Sequence, residues 1–122
     1  MIKGEIFFGR KSSEAYHPIV YLEDYDSGFF IGVMLTSSNR YPGNILMKPE
    51  HIRIIDEKGN NFELTFNNTH FVRAKLLKRI EWEPFRKVGE LSEEGIQFIE
   101  DNINSNKAIL WEEYLKESEQ YK

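Results

Sequence analysis

Residues 17–38 read HPIVYLEDYDSGFFIGVMLTSS, and the reading of this stretch decides the fold. Two apolar runs, 19–22 and 29–35, are rich in β-branched and aromatic side chains, and the polar turn formers of 23–28 separate them. Such runs predict neighbouring strands of a sheet joined by a tight connection. Pro18 opens the first strand, where a missing ladder N–H is tolerated. Antiparallel pairing sets the start of one strand beside the end of the other. It therefore predicts that His17 and the Thr36 hydroxyl share one rim of the sheet, with Ser37 and Ser38 just beyond. An imidazole and a hydroxyl held together are equipped to handle a phosphate. They are also ordinary polar residues for the ends of strands.

The bulk properties narrow the classes around that hairpin. A chain of 122 residues suits one domain with its own core. Apolar residues make up 40% and aromatics 14%, which places the chain with folded rather than disordered proteins. The absence of cysteine excludes disulfides and thiolate-based metal or redox sites. No run approaches the roughly 20 apolar residues that a membrane-spanning helix needs. The opening MIKGEIFFGR has too short an apolar stretch, and too early a charge at Arg10, for a signal peptide. The expected compartment is the cytoplasm, with no membrane partner.

The net charge of −4 conceals an asymmetry. Residues 1–89 carry 13 basic and 11 acidic side chains, whereas 90–122 carry 3 and 9. Within the first part, 71–89 holds Arg73, Lys75, Lys78, Arg79, Arg86 and Lys87 against Glu81 and Glu83. An acidic total argues against nucleic acid, but a local basic strip with the acid elsewhere does not.

In chain order, 2–8 predicts a first strand, with Gly4 marking a bulge or a close backbone approach. Residues 9–16 read as a loop that delivers His17. After the central hairpin, SSNRYPG at 37–43 is dense in turn formers, and 45–47 reads as a short strand ended by Pro49. Residues 52–55 and 62–66 read as a hairpin across 56–61, and 70–80 as the last long extended segment. Seven short strands with frequent turns predict a small barrel or a strongly curled sheet. Leu91-Ser92-Glu93-Glu94 then opens a helix, with Ser92 as N-cap and the two glutamates at the positive end of its dipole. Ile96, Ile99 and Ile103 form its apolar stripe from about 92 to 103, and Gly95 is the local residue that argues against it. Ile109, Leu110, Trp111, Tyr114 and Leu115 predict a second amphipathic helix. The whole chain, 1–122, reads as a single domain, with a barrel over about 1–89 and a helical part over about 90–122.

Familiar chemical motifs are absent: there is no Gly-rich phosphate loop, no His-Glu-x-x-His and no Gly-x-Ser-x-Gly. His17, His51 and His70 lack metal-ligand spacing, so neither a metal nor another cofactor is expected. The strip around Arg73 is the more unusual feature, since its guanidinium sits between apolar residues in the segment read as a strand.

The order of these parts resembles the PemK/MazF-like toxins, the ribosome-independent endoribonucleases of type II toxin–antitoxin pairs. Lys3-Gly4-Glu5-Ile6-Phe7-Phe8 is similar to their opening strand. His17-Pro18-Ile19-Val20-Tyr21-Leu22 is similar to the strand that usually begins Arg-Pro-hydrophobic. The run 30–36, ending in Thr36, is similar to their apolar strand closed by Thr or Ser. Phe71-Val72-Arg73-Ala74-Lys75 and Lys78-Arg79-Ile80 resemble the hydrophobic-Arg-x-Asp and Arg-hydrophobic elements, and 87–92 resembles the junction into the C-terminal helix. The resemblance spans roughly 1–104. It implies a mainly β fold, an SH3-like barrel of the CcdB/PemK toxin type with a C-terminal helix. It further implies a homodimer that binds single-stranded RNA and is inhibited by a cognate antitoxin lying over the RNA groove.

Two residues depart from the family pattern: His17 stands where an Arg is usual, and Lys75 where an acidic residue is usual. RNA self-cleavage needs a base for the 2′-hydroxyl, an acid for the 5′-oxygen and positive charge for the crowded phosphate. The expected set is His17 as proton carrier, Arg73 as bidentate phosphate clamp and Thr36 to orient the phosphate. Ser37, Ser38, Lys75, Lys78 and Arg79 are expected to bind the rest of the substrate. The alternative is a non-catalytic SH3-like barrel that binds a protein or nucleic acid, including a toxin of the gyrase-poison kind.

Overall fold

The computed structural model describes residues 1–8, 17–37, 43–80, 84–104 and 107–119, with side chains to residue 116 in the last segment. Its strands are β1 (Glu5–Phe8), β2 (Ile19–Asp26), β3 (Phe29–Thr36), β4 (Ile45–Leu46), β5 (His70–Phe71), β6 (Leu76–Arg79) and β7 (Arg86–Glu90). The predicted central hairpin is β2–β3, antiparallel, with Ile19 opposite Met34 and Val20 opposite Val33. Around it the sheet runs β4-β5-β3-β2-β1-β7, every pair antiparallel, and β6 shares with β5 the free edge of β3. The fold is therefore mainly β. The path ends at β4 and β7, which do not pair with each other among the described residues, so the sheet is not a closed barrel.

Side chains alternate across this sheet, and each face has its own cover. One face presents Ile6, Val20, Val33, Leu35, Phe71 and Val88, and these pack with Met47, Ile52, Leu91 and Ile99 in the larger core. The other presents Ile19, Tyr21, Phe30 and Met34, which join Phe7, Val72 and Leu76 in two smaller clusters.

Helix α1 (Glu93–Asn102) covers the first face. Its start follows the capping rules: Ser92 Oγ accepts the Gly95 N–H at 3.1 Å, and Glu93 and Glu94 occupy the first turn. Ile99 is fully buried, and Ile96, Phe98 and Ile103 pack around the same core. Gly95, unfavourable to a helix on propensity, is what allows α1 to dock. A Cβ there would lie 2.1 Å from the carbonyl oxygen of His51, in the 3₁₀ turn Pro49–His51. Gly4 makes the expected close approach, with φ +93° and Ile96 Cδ1 only 2.7 Å from where its Cβ would stand. Helix α2 (Trp111–Glu119) lies against the other face, where Ile109, Trp111 and Tyr114 pack on Met34, Val72 and Leu76. Among the described residues no helix is long and apolar enough to cross a membrane.

Three expectations give way. The 52–55/62–66 hairpin closes only at its turn: Asp56 Oδ1 accepts the Lys58 and Asn60 N–H groups at 2.9 Å each, and Phe62 N–H reaches Ile54 O at 2.9 Å. Beyond that turn the segment lies along β7, with Leu64 N–H on Val88 O and Arg53 N–H on Glu90 O, so neither arm becomes a strand. The extended run 70–80 is broken in the middle, because Ala74 N–H turns back to Val72 O at 2.8 Å and puts Arg73 on a bend. Finally, the stretch 87–92 read as a junction begins inside a full strand, β7, that pairs with β1. The loop expected over 9–16, Ser38 and most of the turn at 37–43 lie outside the described residues.

Candidate functional site

The register of β2 and β3 builds the rim from the backbone up. Leu35 N–H donates to Pro18 O at 2.9 Å, one step beyond the Ile19–Met34 pair. The next residues in register are His17 and Thr36, in the non-hydrogen-bonded position where cross-strand side chains come closest. Both line a cleft of about 260 Å³, together with Pro18, Leu35 and Ser37 of the hairpin. Leu64, Thr65, Asn67 and Thr69 complete its wall from the connection that precedes β5. The cleft thus gathers one imidazole, several hydroxyls and an apolar floor.

His17 is half-buried, and burial is the main reason that its pKa lies below the usual histidine value, with the Lys78 charge adding to the effect. Both causes disfavour the imidazolium. At neutral pH the ring is neutral and carries a lone pair, as a proton acceptor requires.

The basic residues do not converge on this cleft. Lys78 is fully buried, paired in register with Phe30, and its ammonium lies 5.8 Å from the Trp111 ring centroid. It has no surface to offer a ligand, and it acts on His17 through its charge. Arg73 is exposed, and its Nε–H donates to the Asn102 carbonyl at the end of α1 at 2.7 Å. Neither Arg73 nor Lys75 is among the residues that line the cleft. Arg79 lies over the Phe29 ring and 3.9 Å from Glu112. Farther along the strip, Arg86 contacts Glu63, and Lys87 lies 2.6 Å from Glu5 and 3.1 Å from Glu90. Much of the positive strip is thus answered by carboxylates and rings distant in sequence.

Two histidines passed over in the sequence have defined places. His51 is buried, stacks on Phe98 at 4.3 Å between ring centroids, and accepts the Lys48 N–H on Nδ1 at 3.0 Å. His70 pairs in register with Thr36, and its Nδ1–H donates to the Asn68 carbonyl at 2.7 Å. No sequence signal announced the second placement, since it depends on β5 choosing the free edge of β3. Among the described residues no group of three or more His, Asp or Glu side chains is placed to hold a metal ion. A second hollow, about 510 Å³ and open, is bounded by Met1, Phe7, Pro84 and Phe85, and among the described residues it carries no side chain able to exchange a proton. Comparison of the chain with protein-family models, with curated proteins and with solved structures gives no match.

Proposed function

We propose that this chain is a metal-independent endoribonuclease toxin of a type II toxin–antitoxin pair, cleaving single-stranded RNA by attack of the 2′-hydroxyl on the adjacent phosphate. One observation carries the reading: a neutral imidazole, His17, stands opposite a hydroxyl, Thr36, on a cleft at the sheet rim. His17 takes the 2′-hydroxyl proton as general base. Thr36 and Ser37 donate to the phosphate oxygens, and Lys78 contributes positive charge from beneath without touching the substrate. Arg73, exposed and off the cleft, holds a neighbouring phosphate rather than the scissile one, with Lys75 and Arg79 on the same side of the chemistry. An antiparallel sheet with residues 52–66 laid along β7 is compatible with an SH3-like barrel, and the family resemblance adds a homodimer, a cognate antitoxin and a cytoplasmic setting to the proposal.

The test is direct. The purified chain, incubated with single-stranded RNA in excess chelator, is expected to produce fragments ending in a 2′,3′-cyclic phosphate and a 5′-hydroxyl. Intact RNA after prolonged incubation at high enzyme concentration sinks the reading. A second reading draws on the commitment of Arg73 to Asn102 and on the pairing along the basic strip: a non-catalytic module that binds a protein, as gyrase poisons do. Inhibition of supercoiling by a protein that leaves RNA intact would select it.

A further inference from the structure

Cleavage at this rim needs a second proton carrier, because the departing 5′-oxygen must gain a proton as the 2′-oxygen loses one. We infer that His70 is that carrier and that the site is a histidine pair astride Thr36; the inference rests on the ribonuclease reading of the same cleft. His70, in β5, is the register partner of Thr36, and His17 lies two residues before β2, one step beyond the Leu35 N–H to Pro18 O bond and so on the other side of Thr36. Directly paired residues of a ladder project to the same face, so the three side chains form one row across the sheet. β2 and β5, with β3 between them, stand roughly 9.5 Å apart. That spacing gives a phosphate room between two imidazoles that turn toward Thr36 from either side. His70 is not itself among the residues that line the cleft; its chain neighbour Thr69 is, which sets the ring at the cleft's border.

The hydrogen bond of His70 fixes which of its nitrogens works. A carbonyl only accepts, so Nδ1 keeps its proton on Asn68 in both charge states, and Nε2 is the nitrogen that exchanges. The step balances. His17 removes the 2′-hydroxyl proton, the 2′-oxygen–phosphorus bond forms, and the bond from phosphorus to the 5′-oxygen breaks. That oxygen leaves with the Nε2 proton of the His70 imidazolium, giving a 2′,3′-cyclic phosphate and a 5′-hydroxyl.

The experiment compares His70→Gln and His17→Ala on an ordinary RNA and on the same RNA with sulfur in place of the bridging 5′-oxygen at the cut. A thiolate leaves without being protonated. On ordinary RNA, His70→Gln is expected to lower kcat by about 10²–10⁴-fold with KM little changed. On the sulfur substrate the His70→Gln loss should disappear, while the His17→Ala loss remains. Wild-type rates in His70→Gln, or a loss that sulfur does not rescue, overturn the role of His70 and leave the ribonuclease reading standing. A wild-type protein that cleaves neither substrate removes both.

Discussion

The rim that holds His17 and the junction that holds His51 contain the same kind of group with the same kind of shift. Both rings have pKa values below the usual histidine value, and burial is the main cause in each. At the junction the surroundings are closed. His51 accepts a backbone N–H on Nδ1, stacks on Phe98, and offers its carbonyl to the Ser92 N–H while Gly95 presses against it. At the rim they are open: His17 faces a cleft with hydroxyls on its wall and a buried positive charge nearby. A depressed histidine pKa therefore does not by itself mark chemistry, and the neighbours decide whether the lone pair is spent on the fold or offered to a ligand.

The sharpest way to break the comparison is to remove each ring in turn. His17→Ala is expected to lower RNA cleavage by about 10²–10⁴-fold while the melting temperature barely moves. His51→Ala should do the reverse, and an equal loss of rate in a stable His51 variant would erase the distinction. Next in size is the glycine that seals the junction. Gly95→Ala forces a methyl onto a backbone carbonyl that cannot swing away, so urea unfolding should show a loss of about 3 kcal/mol or more, the upper range for overpacking.

A smaller effect tests the shared titration. Below the ordinary histidine pKa of about 6.5 the unfolded chain binds protons at His17 and His51 that the folded chain still refuses. The unfolded state then holds more protons, so stability is lost as pH falls from about 6.5 toward the depressed folded values and levels off below them. Removing His51 should flatten this slope, as chemical denaturation at pH 5, 6 and 7 can read. The smallest effect belongs to Arg73. Arg73→Ala should weaken RNA binding and reduce the salt slope by about one, with the rate of bound substrate unchanged, because its contact is to a flanking phosphate. A large drop in the single-turnover rate would return Arg73 to the chemistry.

How much of this was readable in the chain depends on how local each cause is. The β2–β3 pairing was legible because two adjacent strands and one short turn are local. The register at the rim also depends on two irregularities in β2, between Tyr21 and Glu23 and between Asp24 and Asp26, that no sequence signal announced. α1 was legible because Ser92, Glu93, Glu94 and the isoleucine stripe all lie within it or at its two caps. Gly95 misled because its reason, the His51 carbonyl, is far away in sequence. The alternation of Phe62, Leu64 and Phe66 announces a half-buried segment but not what its backbone bonds to, and that proved to be β7. β7 itself has Val88 as its one large apolar side chain and shows no period at all. Lys78 reads as a surface charge and is buried because Trp111, from the second helix, lies against it. The histidine row was half legible for the same reason: His17 and Thr36 are neighbours by one hairpin, whereas His70 arrives through a long-range pairing.

β1 pairs on one side with β2 and on the other with β7, whose last residue is Glu90. β1 must therefore wait for a strand far along the chain before its second edge is satisfied. Gly4 meets the same delay, since its carbonyl accepts the Leu91 N–H and its α-carbon lies under Ile96. Pairings of such separation close slowly, because the intervening chain must be ordered before they reward it. The β2–β3 hairpin pairs through local contacts, whereas the sheet edge and helix that brace it depend on these distant ones. The rim is therefore expected to form first as a loose hairpin, and to become a rigid site only once β7 and α1 have docked.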